Sequence, residues 1–485
     1  MESQGPAHPG VGEIAGRLDR LPVSRWHWKL TLLVGAAAFF DLYEVFMGGV
    51  LGGVLGEQWD LARNVKATLI AAPFVGMIIG AIFLGMASDR VGRRRMFMVN
   101  LGIYSLLSLA AAFSPDVGVL ITIRFLCGVF MGAELILIDT YLSEFMPRVA
   151  RGRMIAVAYV IGFCGSPVVA LLGGFFVARS HFLWEGWRWL LVIGGLGAMV
   201  VFVLRRAMPE SARWLVEHGR ADEADKVVAA VEETVRAQRG PLPAVEIPPQ
   251  RPVRRVALAD MFRPPYRNRT IMLWLFQLLQ TVGQYGFSSL VPVVLLAKGY
   301  DIVDSLGYTA MTFIGAPVGA AIAVPLVERF ERKYLIIGSG LVTAIAGLFF
   351  GTATSPVLIV AMGLIITMAN NVLSGAYHIY QTELYPTQVR STAIGIAYSL
   401  SRLSAAILPF AGLALLASFG PIGVFVGSAA LLVLMCVVVG TLGPRSNGRS
   451  LEAVAGAGEQ TRQGEPGAVG VADQQGAAAR AELGE

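Results

Sequence analysis

The stretch "FVGMIIGAIFLGMASDRVGRRR", from Phe74 to Arg95, joins an almost purely apolar run to a dense group of charges. Its last eight residues contain one aspartate and four arginines. A weaker copy, "VERFERKY", occupies Val327 to Tyr334 and again follows an apolar run. Arginine-rich segments directly after hydrophobic helices are typical of the cytoplasmic loops of membrane proteins. The stretch therefore predicts a helix that ends at the cytoplasmic surface of a membrane.

The composition of the whole chain supports a membrane protein. Of its 485 residues, 55% are hydrophobic and 15% are charged, and the mean hydropathy is +0.63. A soluble domain needs more polar surface than this, so we expect the lipid bilayer to be the solvent. The net charge of +6 comes largely from arginines in short loops and does not indicate a nucleic-acid partner. Three cysteines, all in apolar runs, predict buried thiols without disulfides.

Twelve apolar runs are long enough to cross the roughly 30 Å hydrocarbon core, because a transmembrane helix needs about 20 residues. Their approximate limits are 29–55, 65–88, 95–114, 117–143, 153–178, 186–207, 268–297, 305–327, 334–353, 356–381, 391–417 and 420–442. We expect the first run to remain as an anchor, since it is too long for a signal peptide. The predicted fold class is an all-α membrane protein with twelve transmembrane helices in two six-helix bundles.

The polar segments between these runs divide the chain into five parts. We predict a cytoplasmic N-terminal segment (1–28), an N-terminal bundle (29–207), a cytoplasmic linker (208–267), a C-terminal bundle (268–442) and a disordered cytoplasmic tail (443–485). The predicted outside turns at 113–118, 351–356 and 417–421 contain no lysine or arginine. The positive-inside rule therefore predicts cytoplasmic termini and a multi-pass protein of the plasma (inner) membrane.

Two charged motifs recur at the same shift of 239 positions. The group Asp89, Arg90, Arg93 and Arg94 recurs as Glu328, Arg329, Arg332 and Lys333. "YLSEFMPRVARG", from Tyr141, matches "YQTELYPTQVRS", from Tyr380, so that Glu144 and Arg151 correspond to Glu383 and Arg390. A common shift predicts that six spans were duplicated, and parallel repeats of this kind build two-lobed transporters with a site between the lobes.

These charges have two interpretations. They can form a cytoplasmic network that stabilises one conformation and releases it in another, or they can act only as a topology signal. The residues of the candidate conformational latch are Asp89, Arg90, Arg93, Arg94, Glu144, Arg151, Glu328, Arg329, Arg332, Glu383 and Arg390.

Several segments resemble the major facilitator superfamily over roughly residues 13–452. "GMASDRVGRRR" resembles its loop signature, and "PESARWLVEHGRADEA", from Pro209, is similar to the sugar-porter signature after the sixth span. The segments from Arg124, "RFLCGVFMGAELILIDTYLSEFMPRVARGR", and from Pro444, "PRSNGRSLEAV", resemble the same group. The resemblance implies two lobes that expose a central site alternately to either side, in a protein that works as a monomer.

The seventh span departs from true sugar porters. "QLLQTVGQYGFSSLVP" keeps Gln280 and Gly283 but has Tyr285 where those carriers have asparagine, which argues against a hexose. "RLDRLPVSRWHWKL", "FFDLYEVFMGG" and "YGFSSLVP" resemble the metabolite branch, which includes niacin-type, aromatic-acid and synaptic-vesicle-like carriers. That branch often has two acids in the first span, and Asp41 and Glu44 occupy those places here.

Ionisable side chains inside the predicted spans are candidates for proton coupling, because each costs about 2.5–3.5 kcal/mol at the bilayer centre. Asp41 and Glu44 share one helix face at i, i+3 spacing; the alternative is an acid bonded for helix packing. In related carriers an arginine at the place of Arg124 pairs with the first-span acid; the alternative is a snorkelling arginine. Glu134 either lines the cavity or adds to proton transfer.

Arg402 lies near mid-membrane in the eleventh predicted span. Its guanidinium fork matches a substrate carboxylate, and an acid on another helix is the alternative. His378, to which the repeat maps Asp139, is either a cavity residue or a packing histidine. The remaining candidate substrate ligands are hydrogen-bonding or aromatic side chains: Gln277, Gln280, Gln284, Tyr285 and Tyr398.

The sequence therefore predicts a secondary active transporter and not an enzyme. We find no phosphate-binding glycine loop, paired zinc ligands or nucleotide-binding domain in it, so we expect neither a cofactor nor a metal. The favoured interpretation is proton-coupled symport of a small polar organic metabolite, with a carboxylate favoured over a sugar. Proton-coupled efflux of a drug or natural product and a non-transporting membrane sensor remain alternatives.

Overall fold

The structure, a computed structural model, describes residues 11–178, 184–206, 208–245, 261–264, 266–385 and 387–445, without the side chains of 11, 89, 135, 136, 178 and 387–392. The predicted tail beyond residue 445 lies outside this part of the chain. Two runs of helices are joined by a polar linker.

The first run contains α1 (Val11–Asp19), α2 (Arg25–Gln58), α3 (Arg63–Val91), α4 (Arg93–Ala111), α5 (Val117–Met131), α6 (Glu134–Phe145), α7 (Arg151–Phe163), α8 (Gly165–Ala178) and α9 (Gly186–Arg205). The linker forms α10 (Ala212–Glu217) and α11 (Ala221–Arg239). The second run contains α12 (Arg267–Thr281), a π-helical turn (Val282–Gly286), α13 (Phe287–Ala297), α14 (Ile302–Phe313), α15 (Gly315–Arg329), α16 (Arg332–Thr352), α17 (Pro356–Glu383) and α18 (Thr387–Leu442).

Nine helical segments of the described residues are long and apolar enough to cross a membrane. The sequence predicts twelve, and the difference arises at three places. The arginine-rich start of α4 lowers its hydropathy, and the predicted fourth span is divided into α5 and α6. The predicted eleventh and twelfth spans are continuous in α18, where Gly420, at φ 67°, marks a non-helical kink. The count of twelve spans therefore stays a prediction.

Close contacts between helices repeat in the two halves. A β-carbon on Gly76 or Gly80 of α3 would collide with the carbonyl oxygen of Phe125 or Val129 in α5. In the second half, a β-carbon on Gly315 or Gly319 of α15 would likewise collide with the carbonyl oxygen of Leu364 or Met368 in α17. All four glycines and their partners are related by the shift of 239 positions. Small residues allow such close approach between membrane helices, which explains why glycine recurs at these positions.

Among the described residues, the largest buried cluster that the two halves share lies at the end opposite the charged loops, and a smaller shared cluster contains Phe74 of the first half and Ala405 of the second. The largest cluster includes Leu51 and Leu190 from the first half and Leu290 and Phe350 from the second. At the charged end the buried clusters are separate, one in each half. The backbone of Gly49 lies so close to Ser289 that a β-carbon added to Gly49 would be 2.8 Å from the backbone carbonyl oxygen of Ser289. The halves therefore meet tightly at the uncharged end.

The N-terminal helix α1 packs on the linker helix α11 through a buried carboxylate. Glu232 accepts hydrogen bonds from Arg17 Nη2 at 2.7 Å and from Arg20 Nη2 at 2.6 Å. Ile14 and Leu18 of α1 belong to the same buried cluster as Val228 of α11. Burial by itself disfavours the charged form, but the hydrogen bonds and charges of Arg17 and Arg20 hold the pKa of Glu232 below its ordinary value.

We expect Glu232→Gln to loosen α1 from α11, because the three charge-assisted hydrogen bonds that Glu232 accepts from Arg17 and Arg20, of about 1.5–3 kcal/mol each, are weakened. Hydrogen–deuterium exchange of the α1 amides measures this as faster exchange. Since the pKa of Glu232 is lowered in the folded state, the stabilisation is present at neutral pH and is lost as the pH falls through its folded pKa. The matched control is Glu233→Gln, at the exposed neighbouring position. Equal exchange in both variants would contradict the prediction.

Candidate functional site

The two charged loops form equivalent ion pairs. Arg93 Nε lies 3.9 Å from Glu144 Oε1 in the first half. Arg332 Nη2 lies 3.5 Å from Glu383 Oε1 in the second half. Both arginines begin a helix, both acids lie in the last turn of one, and the shift of 239 relates the pairs. The structure thus brings these four latch candidates together as two pairs, each within one half.

Glu210 of the linker caps the first residues of α4. Its Oε1 accepts hydrogen bonds from the backbone N–H of Arg94, at 2.9 Å, and of Ser211, at 3.0 Å. An anion at this position is favourable, because the N-terminus of a helix has free N–H groups and a partial positive charge. Gly92 has a φ of 112°, and a β-carbon there would lie 2.6 Å from Glu210 Oε2. The "PESARW" segment thereby fastens the charged loop to the linker.

The other latch candidates have different surroundings. Arg94 donates to the Arg206 carbonyl oxygen, and Arg151 pairs with Asp19 at the end of α1. Three candidates have exposed side chains: Arg90, Glu328 and Arg329. The side chains of Asp89 and Arg390 lie outside the described residues.

Inside the first half, Glu44 and Arg124 form a fully buried ion pair. Glu44 Oε1 lies 3.0 Å from Arg124 Nη1, and the side chains are 2% and 0% exposed. Ser108 donates to Glu44 Oε2 at 3.2 Å, and Arg124 Nη2 donates to the Glu44 carbonyl oxygen at 3.3 Å. This geometry pairs the first-span acid with the fourth-span arginine and places Arg124 in the interior, whereas a snorkelling arginine would reach the membrane surface.

A second buried ion pair lies in the same half. Glu134 Oε1 is 2.6 Å from Arg205 Nη1, with side chains 0% and 1% exposed. Asp41 is also buried, and neither of its oxygens makes a hydrogen bond of normal geometry. Glu134, Arg205 and the Tyr104 hydroxyl face it electrostatically. Three acids and two arginines therefore share the interior of the first half around α2.

In the second half, Arg402 is held by aromatic side chains. Its Nη1 donates to the Tyr285 hydroxyl at 2.6 Å, and its Nη2 donates to the Tyr398 hydroxyl at 2.7 Å. The guanidinium carbon lies 5.2 Å and 4.6 Å from the centres of these two rings. Within the described part of the chain, no carboxylate lies within ion-pair distance of Arg402 although its residue is only 3% exposed.

Tyr285 lies in the π-helical turn of the predicted seventh span. A π-helical turn adds one residue to a helical turn and is frequent at functional sites. The Tyr285 ring also meets Phe74 of the first half edge to face, with centroids 5.2 Å apart. The aromatic surroundings of Arg402 therefore extend across the boundary between the halves.

The three predicted glutamines form amide contacts in this turn or directly before it. Gln280 donates to Gln277 at 3.2 Å, and Gln277 donates to Gln381 at 3.2 Å. Gln284 accepts from Asn370. Gln277 and Gln280 are buried, so these contacts hold the two amides in fixed orientations.

His378 lies at the contact between the halves. Its ring stacks on Tyr377 with centroids 4.3 Å apart and faces Tyr159 of the first half at 5.8 Å. Tyr159 in turn faces Asp139. The shift of 239 relates Asp139 to His378 and Tyr159 to Tyr398, so equivalent positions of the two halves approach each other here.

The sequence interpretation missed several of these partners. Arg205 has the appearance of a topology arginine at the end of a span, but it lies buried against Glu134. Nothing in the sequence places Gln381 or Tyr377 beside the predicted ligands, since both lie in an ordinary apolar helix. Among the described residues there is no group of three or more His, Cys, Asp or Glu that is placed to hold a metal.

Comparisons with known proteins agree with this architecture. The family profile described as "Sugar (and other) transporter" matches residues 52–457. The putative metabolite transport protein YyaJ of Bacillus subtilis (strain 168) is 34% identical over 82% of this chain and 87% of its own. The niacin transporter NiaP of Acinetobacter baylyi is 29% identical over 91% of this chain and 99% of its own.

Among solved structures, the partially occluded inward-open conformation of the Escherichia coli xylose transporter XylE superposes with a TM-score of 0.70. The identity is 18%, and the superposition covers 88% of this chain and 100% of XylE. The predicted major facilitator fold is thereby confirmed. The chain belongs to the sugar (and other) transporter family of the major facilitator superfamily, and it is a multi-pass membrane transporter of small organic compounds, not an enzyme.

Proposed function

We propose that this transporter takes up a small organic carboxylate together with protons, by alternating access. The observation that carries the proposal is Arg402, a buried guanidinium that contacts two tyrosine hydroxyls and, within the described residues, no acid. A buried charge is strongly destabilising unless it is paired. A bound carboxylate would supply the missing opposite charge, and the guanidinium fork suits its two oxygens.

The surroundings of Arg402 favour a carboxylate on a flat ring. Four aromatic side chains offer ring faces and edges to a substrate ring: Tyr285, Tyr398, Phe74 and Tyr377. A pair of aromatic rings contributes about 0.5–1.5 kcal/mol beyond the burial of its apolar surface. Niacin, which the relative NiaP transports, carries its carboxylate on an aromatic ring. The buried amides of Gln277 and Gln280 add hydrogen-bonding groups nearby for the polar substituents of a substrate.

Proton coupling is proposed from the buried acids of the first half. Glu44 and Arg124 form an ion pair only while Glu44 is ionised. Protonation of Glu44 would remove the attraction and leave Arg124 to find other acceptors, which changes the packing between α2 and α5. Asp41 and Glu134 are further sites at which a proton can be held.

We further propose that the protein works as a monomer in the inner membrane, with both termini and the charged loops in the cytoplasm. In that orientation the halves are closed at the outer end and separated at the cytoplasmic end. The pairs Arg93–Glu144 and Arg332–Glu383 lie at the cytoplasmic end, where they would act as the latch by fixing the ends of neighbouring helices.

Arg402→Gln is expected to weaken binding of an aromatic carboxylate about 10- to 100-fold, because charge-assisted hydrogen bonds contribute about 1.5–3 kcal/mol. Binding to purified protein is compared for niacin and for nicotinamide, its neutral amide. Arg402→Lys keeps the charge but not the planar fork, so we expect an intermediate loss. Equal losses for the acid and the amide would reject a carboxylate site.

Asp41→Asn and Glu44→Gln, tested separately, are expected to abolish gradient-driven uptake in proteoliposomes while substrate counterflow continues. Glu44→Gln also leaves Arg124 buried without its acid, so a loss of stability of about 3–5 kcal/mol is expected for that variant only. Thermal unfolding separates this effect from coupling. Driven uptake that survives both substitutions would show that these acids are not the coupling groups.

Glu144→Gln and Glu383→Gln are each expected to change the ratio of inward-open to outward-open molecules by about two- to fivefold, as a partly exposed ion pair contributes up to about 1 kcal/mol. Cysteine accessibility from the two membrane faces measures this ratio. Glu233→Gln, on the exposed face of α11, is the control. An unchanged ratio would leave the charged loops with a role in topology alone.

A further inference from the structure

The ion pair between Glu134 and Arg205 differs from the pair between Glu44 and Arg124 because it is incomplete. Arg205 uses only Nη1 for Glu134, and its Nε and Nη2 have no hydrogen-bond acceptor. Glu134 Oε2 likewise has no donor. The Arg205 guanidinium lies 4.3 Å from the centre of the Phe97 ring, which covers it. Two donors and one acceptor are therefore buried and unused.

A third ionisable group, Asp41, belongs to the same pocket. The titratable and charged groups that face it are Glu134 of α6, Arg205 of α9, Tyr104 of α4 and Glu44 of its own helix. Asp41 is 2% exposed, and both of its oxygens are without a hydrogen bond of normal geometry. The pocket thus holds an unused acceptor group beside unused donors.

Counting charges shows what this pocket requires. Arg124 balances Glu44, and Arg205 balances one further carboxylate. Asp41 and Glu134 are two carboxyl groups, so one negative charge would remain if both were ionised. An uncompensated buried charge is costly, and two acids in one site resolve this by retaining a proton on one of them.

We propose that Asp41, Glu134 and Arg205 form a site that holds one exchangeable proton, and that Arg205 is the positioning residue of this site. In the conformation described here, Glu134 is ionised on Arg205 and Asp41 carries the proton. When that proton leaves from the Asp41 carboxyl oxygen to water, the new carboxylate accepts hydrogen bonds from Nη2 and Nε of Arg205. Only an O–H bond is broken, and the net charge of the site changes from zero to minus one.

The site connects three separate segments of the first half. Asp41 lies on α2, Glu134 begins α6 and Arg205 ends α9. A movement of the Arg205 guanidinium toward Asp41 would draw the end of α9 toward α2. The role of this three-residue site in transport rests on the proposed proton coupling, whereas the number of protons that the site holds does not.

The test is infrared spectroscopy of the purified full-length protein, in which a protonated carboxyl group gives a carbonyl band distinct from that of a carboxylate. At neutral pH, Asp41→Asn should remove one protonated carboxyl from the wild-type spectrum. Glu233→Gln, at an exposed position of α11, is the control and should leave that signal in place, because it does not change the charges around Asp41. Loss of the signal in Glu233→Gln, or its persistence in Asp41→Asn, would overturn the proposal.

Arg205 supplies a second, independent measurement. Arg205→Gln removes the only positive charge of the site, so a second protonated carboxyl should appear, whereas Arg205→Lys should keep the wild-type number. If Arg205→Gln does not fold, Glu134→Gln decides: Asp41 should then ionise on Arg205 and its protonated signal should disappear. A protonated Asp41 that persists in Glu134→Gln would contradict the shared proton.

Transport assays distinguish a failure of this proposal from a failure of the proposed function. With proton coupling and a shared proton, Arg205→Lys should shift the pH profile of driven uptake. If uptake proves independent of the proton gradient while the infrared result holds, the proposed coupling fails and the site remains. An infrared result against the site, together with gradient-driven uptake, rejects the site alone.

Discussion

A charge in the hydrocarbon core must be balanced by its neighbours, because no bulk water is present to solvate it. In this protein the balance is local and nearly complete. Glu44 lies on Arg124 and Glu134 on Arg205, each at hydrogen-bond distance and out of contact with solvent. Within the described spans, Arg402 and Asp41 are buried groups that form no ion pair, one in each half. In the proposed function, the first accommodates a substrate anion and the second a proton.

The duplication provides the scaffold that holds these charges in place. The glycine contacts of α3 with α5 recur between α15 and α17, and the ion pairs of the charged loops recur as well. The interiors of the two halves have diverged more than these contacts. Asp41 corresponds to Gln280 and Asp139 to His378, so the first half retains acids where the second has neutral or basic side chains. The two halves therefore share helix contacts but differ in the ionisable side chains of their interiors.

Much of this architecture could be predicted from the sequence, because its signals are local. Long apolar runs, arginine-rich loops and the repeat at 239 positions need no knowledge of tertiary contacts. Glu44 and Arg124 could be paired through their resemblance to related carriers. Partners that depend on tertiary packing could not be found in this way.

Arg205 is the clearest example of a partner that could not be predicted from the sequence. At the end of an apolar run it has the pattern of a cytoplasmic loop arginine, and only the packing of α9 against α4 and α2 brings it into the interior. The division of the predicted fourth span into α5 and α6 is a second feature that depends on packing. Gly132, between these two helices, lies close to the carbonyl oxygen of Met77 in α3, so the path of the span follows α3. The π-helical turn at Tyr285 likewise follows from packing and not from composition.

The docking of α1 on α11 has a practical consequence for measuring movement. Arg17 and Arg20 bind Glu232, while Asp19 pairs with Arg151 at the start of α7, so side chains of α1 and of the residue after it attach the linker helix to the first half. A spectroscopic probe on the exposed face of α11 will therefore travel with that half as a rigid body. With a second probe at one end of α17, the distance between the two probes reports movement of one half relative to the other without any label inside the membrane.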